Sequence, residues 1–162
     1  MNIIRYALLS LVFCTLAACG SDPAPPARTA TLKLSTSGAP SENLAGIGIT
    51  VTLPDGVTPA LNNDGSVAAT VATISGVAAP GTMLAPVYTP ANGAAKATLR
   101  IVLAAAASAG FAAGEFATVT LVAAGGSNLA LGDFTLSSFS PIDVNGAVAT
   151  GLTPAVSDLA LQ

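Results

Sequence analysis

The side chains able to do chemistry are few and scattered. There is no His in the 162 residues, so no Ser-His-Asp triad, no Cys-His pair and no imidazole metal ligand can be assembled. Eight carboxylates are present, at Asp22, Glu42, Asp55, Asp64, Glu115, Asp133, Asp143 and Asp158. A pair of them could share acid and base roles, as in glycoside hydrolysis. Yet Asp55, Asp64 and Asp143 each stand in a turn sequence (P-D-G, N-D-G and D-V-N-G), where an aspartate ordinarily satisfies nearby backbone N–H groups. Asp143 and Asn145 could offer oxygens to a calcium ion. A calcium loop of the EF-hand type needs further ligands and a terminal bidentate Glu, which are absent, so a hairpin turn is the simpler reading. Asn62, Asn63 and Asp64 stand under the same objection as a surface calcium site. Serine could be activated only by a lysine. Lys33 and Lys96 both fall on the exposed faces of predicted strands beside Thr, where they read as solubilising charges. No catalytic residue, cofactor site or metal site is therefore assigned.

The two cysteines carry a more definite chemistry. Residues 7–16 form a short apolar run behind Arg5, half the length of a membrane span and suited to the core of a secretory signal. The run ends in Leu16-Ala17-Ala18-Cys19-Gly20. This resembles the lipobox of bacterial lipoprotein signal peptides. The resemblance implies cleavage between Ala18 and Cys19, a diacylglyceryl group on the Cys19 thiol and acylation of the new amine. Cys14 lies in the apolar run and would be discarded with the signal. The mature chain would then hold no free thiol and no disulfide. Gly20, in place of the aspartate that resembles an inner-membrane retention signal, favours the outer membrane where the cell has two.

Composition narrows the partners. The mature chain has four basic and eight acidic side chains, a net of −4, which argues against nucleic acid. It has no Trp and a single Tyr, Tyr88, with Phe111, Phe116, Phe134 and Phe139 mostly at apolar strand positions. Sugar rings stack on exposed aromatic faces, so a polysaccharide platform is hard to build here.

The elements that must position these residues read as strands. Residues 21–28 hold three prolines, which forbid a helix and predict an extended tether. Alternation begins at residue 29. Residues 29–35 place Ala30, Leu32 and Leu34 on one face, and 47–53 place Ile47, Ile49, Val51 and Leu53 inward. Further strands are predicted over 67–75, 82–88 (weakened by Pro86), 94–103, 115–123, 131–139, 147–150 and 155–161. Residues 104–114, rich in Ala and Gly, read as a loop with at most one helical turn that joins two sheets. Eight or nine short strands with Gly, Pro and Asn between them predict an all-β, two-sheet sandwich, jelly-roll, cohesin-like or immunoglobulin-like. The expected organisation is a signal peptide over 1–18, the lipidated Cys and Pro-rich tether over 19–28, and the sandwich over 29–162.

Residues 48–57 (GITVTLPDGV) and 114–121 (GEFATVTL) resemble the cohesin-like domains of bacterial extracellular proteins. That resemblance implies a nine-stranded jelly-roll sandwich over residues 29–162. The expectation is a lipid-anchored protein of the cell envelope, held to membrane lipid through Cys19. It would act without catalysis as a binding or structural module toward another envelope or extracellular protein. A carbohydrate-binding accessory module, or a component of a secreted hydrolase, is the alternative.

Overall fold

The computed structural model describes residues 24–162, and Cys14, Cys19 and the expected signal peptide over 1–18 lie outside them. Ten strands follow one another: β1 (Arg28–Gly38), β2 (Leu44–Thr52), β3 (Val57–Thr58), β4 (Ala72–Ile74), β5 (Gly81–Met83), β6 (Val87–Thr89), β7 (Thr98–Ala105), β8 (Glu115–Ala123), β9 (Thr135–Asp143) and β10 (Leu152–Leu161). They form two antiparallel sheets of five strands. One runs β10-β1-β8-β3 with β4 also on β8; the other runs β5-β7-β2-β9 with β6 also on β7. The predicted two-sheet, all-β sandwich is the observed architecture. The described helical segments are two single 3-10 turns, at Gly76–Ala78 and Leu131–Asp133.

The alternation in sequence is what closes the core. Leu32 stands opposite Val119 in the first sheet, and Ile49 opposite Ile101 in the second. All four are 0–1% exposed. Ala30, Leu34, Ile47, Val51, Leu99 and Leu103 extend the same two inner faces, and Phe116 is fully buried among them. Burying each large aliphatic side chain contributes about 1.5–3 kcal/mol, enough for a domain without disulfides to hold its shape.

Register shifts correct a plain reading of the period in three strands. In β8, Phe116 and Ala117 are consecutive and both buried, which simple alternation forbids. A shift against β1 between Leu34 and Ser35 accommodates them. In β10, Val156 and Leu159 both turn toward the core, and the register against β1 slips between Lys33 and Leu34 to allow it. The Ser157 hydroxyl at that slip donates to the Lys33 carbonyl at 3.3 Å. In β9, the register against β2 slips between Gly48 and Thr50, and Ser138 there takes φ +50°. Extra residues of this kind bend a strand and re-aim the side chains after it.

Several strand boundaries differ from the sequence reading. Residues 67–70 leave the sheet: Val67 makes only an isolated bridge to Leu61, and the chain rejoins at Val71, whose carbonyl accepts from the Thr120 N–H of β8 at 2.7 Å. The weak strand over 82–88 is two strands, β5 and β6, separated across Leu84–Pro86. Strand β7 starts at Thr98 because residues 92–95 close a turn, which leaves Lys96 exposed just before it. Residues 131–133 are a 3-10 turn because the Asp133 carboxylate accepts from the Ala130 N–H at 2.8 Å, a local bond that competes with the ladder. Residues 147–150 make one bridge, Ile142 to Val148, since the Ala147 N–H is taken by Asp143. The stretch 104–114 is, as expected, a connection between sheets; its first two residues complete β7.

All the strands run between two ends. At one end, here called the base, lie Arg28, the 52–57 turn, the 123–135 connection and the chain terminus. Thr29 and Gln162 exchange both backbone hydrogen bonds there at 2.9 Å, and the Ala124 N–H donates to the Gly56 carbonyl at 2.8 Å. At the other end, the crown, lie the connections 38–44, 105–115 and 143–152.

Candidate functional site

The crown connections bind one another. Leu44 and Phe111 exchange backbone hydrogen bonds at 2.8 and 2.9 Å, and the Val144 N–H donates to the Asn43 carbonyl at 3.0 Å. The Asn43 side-chain amide donates to the Ala109 carbonyl at 2.9 Å. Gly110, at φ +69°, passes so close behind Leu44 that a Cβ there would lie 2.5 Å from the Leu44 carbonyl oxygen, so only glycine fits. Three connections from distant parts of the chain thereby become one tied rim. Between them lies an open cleft of about 500 Å³, lined by Pro40, Ser41, Glu42, Asn43, Ala109 and Val144 among others. That volume is in the range of small-ligand sites, but the lining is mostly small side chains and backbone, with Glu42 its one acidic side chain.

Asp143 supports this rim. It is 9% exposed, and its Oδ1 accepts from the Asn145 N–H at 2.8 Å and the Ala147 N–H at 2.9 Å. The Gly146 N–H closes the turn on the Asp143 carbonyl at 3.0 Å. The D-V-N-G motif is thus a hairpin turn whose carboxylate is spent on backbone donors. Asp64 behaves alike: its Oδ1 accepts from the Ser66 N–H at 2.9 Å and the Ser66 hydroxyl at 2.6 Å. Those two bonds to Ser66, the hydroxyl's first, hold its carboxyl below the usual range. The Asn62 side-chain amide also donates to the Ser66 hydroxyl, at 2.9 Å, so the N-N-D-G loop is knitted by Ser66. Asp55 sits in a turn closed by the Val57 N–H on the Pro54 carbonyl at 3.2 Å. No group of three or more Cys, Asp or Glu side chains gathers among the described residues.

One charged cluster does assemble, on the outer face of the first sheet. Lys33 Nζ donates to Glu115 Oε2 at 3.1 Å. The Ser75 hydroxyl, which itself accepts from Thr118 Oγ1 at 3.1 Å, is the larger cause holding the Glu115 carboxyl below its usual range, with Lys33 the second. Such an arrangement brings a serine, a carboxylate and a lysine together. Its chemistry is poor: a carboxylate made less basic by two donors cannot readily take the proton of a hydroxyl. The lysine ammonium is engaged by the carboxylate rather than by a serine. The cluster ties β1, β4 and β8 at their outer surface, so Lys33 is a paired charge rather than a free solubilising one. Lys96, by contrast, is exposed.

Sequence reading located the turn aspartates and missed both the Lys33–Glu115 pair and the crown cleft. Their partners lie 82 and 66 residues apart in the pair and in the Asn43–Ala109 bond, beyond any local pattern. No known family model, curated protein or solved structure matches the chain.

Proposed function

We propose that this chain is a lipid-anchored protein of the cell envelope whose sandwich acts, without catalysis, as a binding or structural module toward another envelope or extracellular protein. The carrying observation is Leu16-Ala17-Ala18-Cys19, placed at the end of a short apolar run and followed by a Pro-rich stretch and a self-contained sandwich. Two or three acyl chains, at about 0.8 kcal/mol per buried methylene, suffice for stable anchoring. The non-catalytic reading is supported by the way the described carboxylates are used. Those of Asp64, Asp133 and Asp143 accept from backbone donors in their own loops, and that of Glu115 is held by Lys33 and Ser75. The cohesin-like resemblance of 48–57 and 114–121 is consistent with a sandwich of this type and favours a protein partner.

The test has two parts. Expressed in a bacterial host, the full-length protein should incorporate labelled palmitate and partition into the detergent phase. Cross-linking on whole cells, followed by affinity capture of the intact lipoprotein, should recover a stoichiometric envelope protein. A water-soluble product without label would overturn the anchor, and hydrolytic turnover by the purified protein would overturn the non-catalytic reading.

A further inference from the structure

The Pro-rich segment is less free at its sandwich end than its composition implies. Residues Pro25 and Pro26 cross directly over Gly125, in the connection that follows β8. A Cβ added at Gly125 would overlap the Pro25 carbonyl group and lie 2.7 Å from the Pro26 carbonyl oxygen. Gly126 adds a contact: a Cβ there would meet Pro25 Cγ at 3.8 Å. Gly125 is not among the glycines with positive φ, so backbone conformation does not demand glycine there. Space for the tether does. Immediately after, Arg28 enters the ladder opposite Ala123, and Thr29 pairs with Gln162.

From this seat we infer that the base of the sandwich is its membrane-facing surface, held there by the Pro25–Pro26 contact with Gly125, and that the crown cleft is turned away from the bilayer. The inference rests on lipid anchoring through Cys19. With the tether seated from Pro25 onward, the chain between the lipidated residue and the domain is six peptide units, about 20 Å at full extension. With the seat lost, the chain would still leave the base at Arg28, but its free length would grow to nine peptide units, about 30 Å at full extension. The crown stands about 35 Å further out, the span of the eleven residues of β1.

Charge agrees with that orientation. Arg28 and Lys96 lie toward the base, with Asp55 and Asp133. Toward the crown lie Glu42, Glu115 and Asp143, where Glu115 alone has a cationic partner, Lys33. An anionic bilayer attracts nearby Lys and Arg and repels carboxylates, so the acidic crown is the end turned outward. The base, with two basic and two acidic side chains, is balanced, whereas the crown, with three carboxylates against Lys33, is net negative; that difference biases which end of an anchored domain approaches the headgroups.

The experiment uses the intact lipoprotein in vesicles of phosphatidylethanolamine and phosphatidylglycerol doped with a nickel-chelating lipid. Lipidation leaves the mature chain without a thiol, so one nitroxide label can be placed at the base (Asn128→Cys) or at the crown (Ser41→Cys). Headgroup nickel should relax the base label strongly and leave the crown label unrelaxed. Gly125→Val, by lengthening the free tether, should weaken the relaxation of the base label and so narrow that difference, while Gly132→Ala, in the same connection with nothing within 4 Å of its added Cβ, should preserve it. Circular dichroism checks that each variant keeps its strands; were Gly125→Val to unfold, the two wild-type labels still decide the orientation. Equal relaxation at both ends of the wild-type protein on the vesicles, or stronger relaxation at the crown, would overturn the inference. Base-label relaxation in a folded Gly125→Val as strong as in wild type would overturn the seat's part in holding the base to the membrane. A protein that never joins the vesicles would instead overturn the lipid anchor itself, and the inference with it.

Discussion

Lys33 Nζ and Glu115 Oε2 lie 3.1 Å apart across 82 residues of sequence, where the middle of β1 meets the first residue of β8. Neither side chain is deeply buried: they are 44% and 29% exposed. The pair sits above the bulge that lets Phe116 and Ala117 both face the core. Its role is to hold the start of β8 against β1 while Ser75 on the far side does the same from β4.

Glu115→Gln should therefore have a small effect, under about 1 kcal/mol in denaturant unfolding, as for exposed pairs generally. The pH dependence has a fixed sign. The Glu115 carboxyl titrates below its ordinary value in the folded protein, so its contribution is fully present above that ordinary value and fades as pH falls through the lowered one. Wild type and Glu115→Gln should converge in stability at acid pH and separate above it. A gap that widens on acidification would show that the pair is not the source.

Asp143 is a stronger case, because its carboxylate serves two backbone donors and is nearly buried. Asp143→Ala should destabilise the domain by about 1–3 kcal/mol, read by urea unfolding. Asp143→Asn keeps an acceptor oxygen and should recover part of the loss. Equal stability of Asp143→Ala and wild type would mean that the hairpin is held by its backbone alone.

Ile101 is 0% exposed, opposite Ile49 in the second sheet. Ile101→Asp should abolish folding, because an unpaired buried charge costs several kcal/mol against a marginal total. Ile101→Val should remain folded, with a loss of about 0.5–1.5 kcal/mol. A cooperative, wild-type-like thermal transition for Ile101→Asp would remove this position from the core.

Cys19→Ala should stop palmitate labelling and leave an uncleaved or aberrantly cut precursor, since no thiol remains at the expected boundary. Cys14→Ala should label and partition as wild type does. Should Cys14→Ala also lose the lipid, the assignment of the boundary to Cys19 would be wrong.

The intact protein should not be retained on insoluble or soluble polysaccharides in pulldown or affinity electrophoresis. Tyr88, its one aromatic outside the phenylalanines of the mature chain, is partly buried, and Phe111, Phe116 and Phe134 are in the core. Clear retention on a glycan would favour the accessory-module alternative.

What the amino-acid order determined by itself was the local physics. Alternation of branched and polar residues specified which faces of 29–35 and 47–53 turn inward, because side chains alternate along an unbulged strand. The aspartates of N-D-G and D-V-N-G bind donors within a few residues and that of P-D-G stands in a backbone-closed turn, so their fate in turns was legible too. The resemblance of Leu16-Ala17-Ala18-Cys19 to a lipobox, on which the proposed anchoring rests, is likewise read from a contiguous string. The pairing of strands was not legible, nor were the shifts that let Phe116–Ala117 and Val156–Leu159 break the alternation. A bulge is set by the strand across the sheet, which period alone cannot see. Likewise Lys33 on Glu115, Asn43 on Ala109 and Pro25 on Gly125 join residues dozens of positions apart. Only the packing of two sheets brings those contacts about, because burial of the shared core fixes where each connection ends and hence which polar groups are left to meet.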